Sequence, residues 1–130
     1  MLHRNPDLSA LHLIAMLTGK RVLLVEDEAI IAMMAEDMLA DLGAVVVGPA
    51  ATLDEALQLA ACVAVDVALL DVNLGGDRID PVVAMLQERG VPLVLATGYG
   101  RSKTDLPVGV AVVEKPYTHE RLAAALTAMV

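Results

Sequence analysis

The stretch Arg21-Val-Leu-Leu-Val-Glu-Asp27 decides the fold: a short, almost wholly apolar β-forming run leads straight into two carboxylates. A strand with one wet face would alternate apolar and polar residues, so an unbroken run of this length reads as a strand covered on both faces. The pattern recurs downstream in Ala44–Gly48, Asp66–Leu70, Pro92–Ala96 and Val110–Val113, with longer segments of helical period in between. Such alternation predicts a parallel sheet with helices packed on its two faces.

The intervening helices carry their own start and stop signals. Ile30, Met34, Met38 and Leu42 recur at i+4 and Gly43 follows as a terminator, which predicts a first helix with that row on one face. By the same reading, Met33, Met34 and Met38 are expected to be core filler rather than a partner groove. Thr52-Leu-Asp-Glu55 is a capping box opening a second helix with Leu53, Leu57 and Ala60 or Ala61 on one face. Asp80-Pro81 supplies a cap and a first-turn proline for a third, which ends near Gly90, and Thr118 caps a last helix whose Leu122, Leu126 and Met129 point inward. A short helix is expected around Arg101–Leu106. Residues 1–19 precede the alternation and read as an N-terminal extension, expected as an amphipathic helix, with three readings open: a cap on its own domain, a disordered extension, or a contact with a second copy or partner; residues 20–130 form the domain.

Composition narrows the function. At 130 residues and 57% hydrophobic, the chain has enough apolar surface for one core and no room for a second domain of similar size, so no separate output domain is expected in it. The longest uncharged stretches, Leu8–Gly19 and Leu42–Leu53, are far shorter than the ~20 residues of a membrane-spanning helix. A net charge of −8 repels nucleic-acid phosphates and anionic lipid, so neither nucleic acid nor membrane is an expected partner. The single cysteine, Cys62, excludes an intrachain disulfide and fits a reducing, cytoplasmic setting. His3, His12 and His119 have no ligand spacing.

In an open parallel sheet, ligands bind beyond the carboxyl ends of the strands. Those ends carry Glu26-Asp27, Asp71, Thr97-Gly98 and Glu114-Lys115-Pro116. Three carboxylates meeting at one edge repel one another unless a cation joins them or their pKa values rise. A hard divalent ion such as Mg²⁺ resolves the repulsion and leaves room for a phosphate oxygen, with Lys115 as a second positive charge that pairs with Asp71 at rest. Thr97 and the Gly98 N–H can donate to further phosphoryl oxygens. Each residue alone has an ordinary reading, Asp71 as a turn residue, Glu26-Asp27 as helix-dipole charges and Lys115 as a surface cation.

Taken in order, the acidic pair after the first strand, Asp71 after the third, Thr97 after the fourth and Lys115-Pro116 after the fifth resemble the receiver domain of bacterial two-component response regulators. Leu95-Ala-Thr-Gly-Tyr99 is similar to the "FAT GUY" motif of single-domain receivers, with Leu in place of Phe. The resemblance covers residues 20–130. It implies a flavodoxin-like, doubly wound five-stranded α/β fold of strand order 2-1-3-4-5, and a switch rather than an enzyme, catalysing only its own phosphorylation and dephosphorylation. Asp71 would accept a phosphoryl group from a sensor histidine kinase or histidine phosphotransfer protein. Glu26, Asp27, Asp71 and the Asn73 backbone carbonyl would arrange Mg²⁺, Lys115 and Thr97 would read the phosphorylated state, and the bond before Pro116 would be cis. An unidentified downstream protein would receive the signal.

The chain departs from the family pattern in two places. Val112 stands where many receivers have an aromatic switch residue, which leaves Tyr99 as the expected replacement and as a shield of the acyl phosphate. Gly75-Gly76 stands where many have a proline, which predicts a mobile lip over the metal site. Two other readings remain: a pseudo-receiver that never uses Asp71, and a flavin or nucleotide carrier, for which no phosphate loop is present. An Asp-x-Asp pair of the haloacid-dehalogenase type is missing at Glu26-Asp27-Glu28.

Overall fold

A computed structural model describes residues 17–98 and 110–130. In chain order the strands are β1 (Arg21–Val25), β2 (Val45–Ala50), β3 (Val67–Asp71), β4 (Asn73–Leu74), β5 (Asp77–Arg78), β6 (Leu93–Thr97) and β7 (Ala111–Glu114). Five of them form one sheet in the order β2-β1-β3-β6-β7, every pair parallel. Helices α1 (Ala29–Asp41), α2 (Leu53–Cys62), α3 (Asp80–Glu88) and α4 (His119–Thr127) connect or follow them. This is the predicted doubly wound order, counted over the five main strands. The expected helix around Arg101–Leu106 and most of the N-terminal extension lie outside the described residues.

The two faces explain the unbroken apolar runs. Val22, Leu24, Val67, Leu69, Val94 and Ala96 join one core with Leu39, Leu122 and Leu126 of α1 and α4. Leu23, Val25, Ala68, Leu70, Leu93 and Leu95 join a second core with Ala56, Ala60, Val82 and Leu86 of α2 and α3. Alternate residues of each strand feed opposite cores, so both faces of the central strands are closed to water. Leu17 is wholly buried in the first core, and the Gly19 N–H donates to the Gly43 carbonyl at 2.9 Å.

The buried face of α1 differs from the expected one. Ala32, Ala35 and Leu39 point inward, followed by Leu42 beyond the helix end, while Ile30, Met33 and Met34 are exposed and Met38 is half-buried. The methionines at 33 and 34 are therefore not core filler. The cause is volume: the strands already supply Leu and Val, and an alanine stripe lets the helix backbone approach the sheet closely. The second helix does the same with Ala56 and Ala60, leaving Leu53 and Leu57 partly buried at its margins.

The caps follow the sequence except at one helix. Thr52 and Thr118 accept from the N–H groups of Glu55 and Arg121 at 3.2 and 3.1 Å. At α3 the cap position is Ile79, one residue earlier than expected; Asp80 is already helical and pairs with Arg78 at 3.1 Å. The Lys115-Pro116 bond is cis as expected, and so is Gly48-Pro49.

The segment after β3, expected as a lip over the metal site, is a short hairpin. β4 and β5 pair antiparallel across Gly75-Gly76. Both glycines have positive φ, 56° and 96°, as a tight two-residue hairpin turn requires.

Candidate functional site

The carboxyl edge of the sheet gathers the predicted residues. Register places Asp71 beside Ala96 and Thr97 beside Glu114, so the ends of β3, β6 and β7 lie level. Glu26 follows β1 and is fixed by its N–H, which donates to the Ala50 carbonyl at 2.9 Å. Single carboxylate oxygens of Glu26, Asp27 and Asp71 all lie within 4.8 Å of one another. Glu26, Asp71 and Thr97 are buried, whereas Asp27 is exposed.

Lys115 reaches into this cluster. Its Nζ lies 2.9 Å from Glu26 Oε1 and 3.4 Å from Asp71 Oδ1, so its tighter partner is Glu26 rather than the expected Asp71. The reason is reach: Glu26 is one methylene longer than an aspartate and its carboxylate is the most deeply buried charge of the group. The Lys115 N–H donates to the Thr97 carbonyl at 2.7 Å, tying the lysine to the end of β6.

The hairpin holds the other side. The Gly75 N–H donates to Asp27 Oδ2 at 2.9 Å, the Gly76 N–H to Asn73 Oδ1 at 3.0 Å and the Asn73 N–H to Asp71 Oδ1 at 3.5 Å. Asp27, Asp71, Asn73, Gly98 and Lys115 line an open polar cavity of about 310 Å³. Tyr99, the expected switch residue, lies outside the described residues.

Electrostatics follow from the crowding. Burial, reinforced by the Glu26 charge, pushes the Asp71 carboxyl up to about 7, against the opposing pull of Lys115. Partial burial also works against ionisation of Asp27, but hydrogen bonds, chiefly with Asp71 and the Gly75 N–H, outweigh it and lower its pKa. Burial disfavours the Lys115 ammonium, yet Glu26 and Asp71 more than compensate and raise its pKa. Desolvation, with the Glu26 and Asp71 charges, raises the Tyr117 phenol to about 12.

Sequence reasoning missed Tyr117, which is buried immediately after Lys115-Pro116, and the hairpin that holds Asp27. The Gly-Gly pair between Leu74 and Asp77 was the available signal for the hairpin.

The profile of the response regulator receiver domain matches residues 22–127. The chain belongs to that family. Among solved structures, the receiver is similar to SdrG from Sphingomonas melonis Fr1, at 39% identity and a TM-score of 0.75, over 85% of this chain and 96% of SdrG. A BeF3-activated conformation of SdrG, from Pseudomonas melonis Fr1, matches at 37% identity and a TM-score of 0.71, over 87% of this chain and 98% of that one. The response regulator PhyR from Brucella abortus matches at 27% identity and a TM-score of 0.79, over 95% of this chain but 52% of PhyR, so the receiver spans about half of that protein. No curated protein sequence matches the chain. As a family, receiver domains are signalling switches of two-component systems that meet kinases or phosphotransfer proteins and downstream proteins. Among the described residues, no helix of this receiver is long and apolar enough to cross a membrane.

Proposed function

We propose that this receiver is a phosphoryl-accepting switch with Asp71 as the nucleophile. The observation that carries the reading is the set of three carboxylates within 4.8 Å of one another, with a single ammonium shared between two of them. The donor set fits a hard cation. All three groups offer oxygen, and a divalent ion offsets both the burial and the Glu26 repulsion that keep Asp71 protonated to about pH 7. Glu26, Asp27, Asp71 and the Asn73 backbone carbonyl would hold Mg²⁺, which supplies charge neutralisation for a phosphoryl group.

An Asp71 carboxylate oxygen attacks the phosphorus of a phosphohistidine on a sensor kinase or phosphotransfer protein. A P–O bond forms, the P–N bond breaks, and its electron pair leaves with the imidazole. Lys115 moves from Glu26 toward the new phosphoryl oxygen, while the Thr97 hydroxyl and the Gly98 N–H donate to the others. Water later hydrolyses the acyl phosphate. The chemistry belongs to the cytoplasm, where kinase and downstream protein meet the receiver. The BeF3-activated conformation of SdrG supports the reading, because a beryllofluoride on a carboxylate oxygen has the tetrahedral shape and negative charge of a phosphoryl group.

The test is intact mass after incubation with acetyl phosphate and Mg²⁺, beside Asp71→Asn. One added phosphoryl mass in the unmodified chain alone is the expected result. Equal gain in the variant would move the acceptor elsewhere, and no gain together with no Mg²⁺ binding would make the chain a pseudo-receiver.

A further inference from the structure

A second cavity, of about 300 Å³, lies beside the acidic cleft between α1 and the segment Lys115–Tyr117. Its walls are Ile31, Met34, Met38, Pro116 and Tyr117, with Glu28 and Lys115 as its charged members. We propose that it binds a small amphipathic cation, a compact apolar body carrying an ammonium head.

Two independent observations support a built site. The first is Tyr117, which lines the cavity and is only 8% exposed, yet whose hydroxyl has no hydrogen-bond partner among the described residues. No polar side-chain atom among the described residues is both sealed from solvent and unpartnered, so the small exposure Tyr117 keeps includes its hydroxyl. A phenol packed on nearly all sides with its oxygen left open can bond whatever enters beside it. The second observation is charge. Among the described residues, Lys115 is the one cation lining the cavity, and its ammonium is already engaged by Glu26 and Asp71. Glu28 lines the cavity with an exposed carboxylate, and α1 adds Glu36, Asp37 and the His119-paired Asp41 with no lysine or arginine. An anionic ligand is repelled here and a cationic one is drawn in. The volume sits at the small end of ligand pockets, which suits one ring with a short chain.

Glu28, Gly98 and Lys115 line both this cavity and the acidic cleft, so occupancy of one bears on the other. The site stands apart from the phosphoryl reading, because it is tested without divalent ion or phosphoryl donor.

The experiment is a titration of the full chain with 2-phenylethylamine and, separately, with 3-phenylpropionate, which is similar in size and opposite in charge, followed through the methionine ε-methyl signals by NMR. The amine is expected to shift Met34 and Met38 saturably and leave the exposed Met33 unmoved, with no saturable shift from the carboxylate. Glu28→Gln and Tyr117→Phe are each expected to weaken the amine roughly threefold, the size of one modest ion pair or hydrogen bond. Asp27→Asn, which removes a charge outside the cavity lining, is expected to weaken it less than Glu28→Gln does. Equal response to both probes, no saturable shift, or a loss that follows Asp27→Asn instead of Glu28→Gln would overturn the proposal, the last by placing the amine in the acidic cleft.

Discussion

At the scale of single residues, Asp71 and Lys115 hold opposite stability consequences. Asp71 has a folded-state pKa of about 7 against an ordinary 3.8, so the fold favours its protonated form. Its contribution is complete below the ordinary value and is lost as pH climbs from there through about 7. Denaturation without divalent ion should therefore show Asp71→Asn gaining on the unmodified chain between pH 5 and pH 8; a constant gap would contradict the raised pKa. Lys115 has the reverse role. Its removal in Lys115→Ala strands Glu26, whose side chain is 3% exposed, and breaking a buried pair from one side costs about 3 kcal/mol. Denaturant midpoints at pH 8 check this, and a loss under about 1 kcal/mol would mean that solvent reaches Glu26 and screens it. Aspartate at a strand end and lysine before proline were legible as site residues in sequence. The choice of Glu26 over Asp71 as the lysine's closer partner was not, because it depends on reach and depth between groups 89 residues apart.

At the scale of elements, glycines mark where the chain must turn. Gly43 and Gly90 both follow helices with positive φ, 81° and 74°, and look alike in sequence as terminators. Their surroundings differ: a Cβ at Gly43 would meet Thr18 Oγ1 at 2.9 Å and Thr18 Cα at 3.2 Å, while one at Gly90 meets nothing within 4 Å. Gly90→Ala should cost only the left-handed backbone penalty, ~1 kcal/mol, and Gly43→Ala visibly more. Thermal or chemical melts of the pair decide it, with equal losses excluding the Thr18 contact as a constraint. Helix existence and the threonine caps were readable from local pattern. The inward face of α1 was not, because both of its long faces are apolar and only the sheet opposite selects the alanine row.

At the scale of the whole molecule, a charge of −8 on a domain with an acidic edge opposes the folded state through self-repulsion. Monovalent salt shortens the range of that repulsion to ~8 Å at physiological strength, so the melting temperature should rise between low and moderate NaCl. A flat or falling response would show that local pairs such as Lys115–Glu26 outweigh the global term. The unbroken apolar runs by themselves determined a parallel sheet buried on both faces, since a sheet with one wet face would leave half of each run in water. Their order and their terminal residues likewise determined that Glu26, Asp27, Asp71, Thr97 and Lys115 share one edge. Tertiary structure alone decided how the lysine divides itself among the carboxylates, how the Gly75-Gly76 hairpin grips Asp27, and that α1 leaves methionines facing outward beside a buried Tyr117. Those outcomes depend on distances and depths between segments far apart in the chain, and no local pattern of residues encodes them.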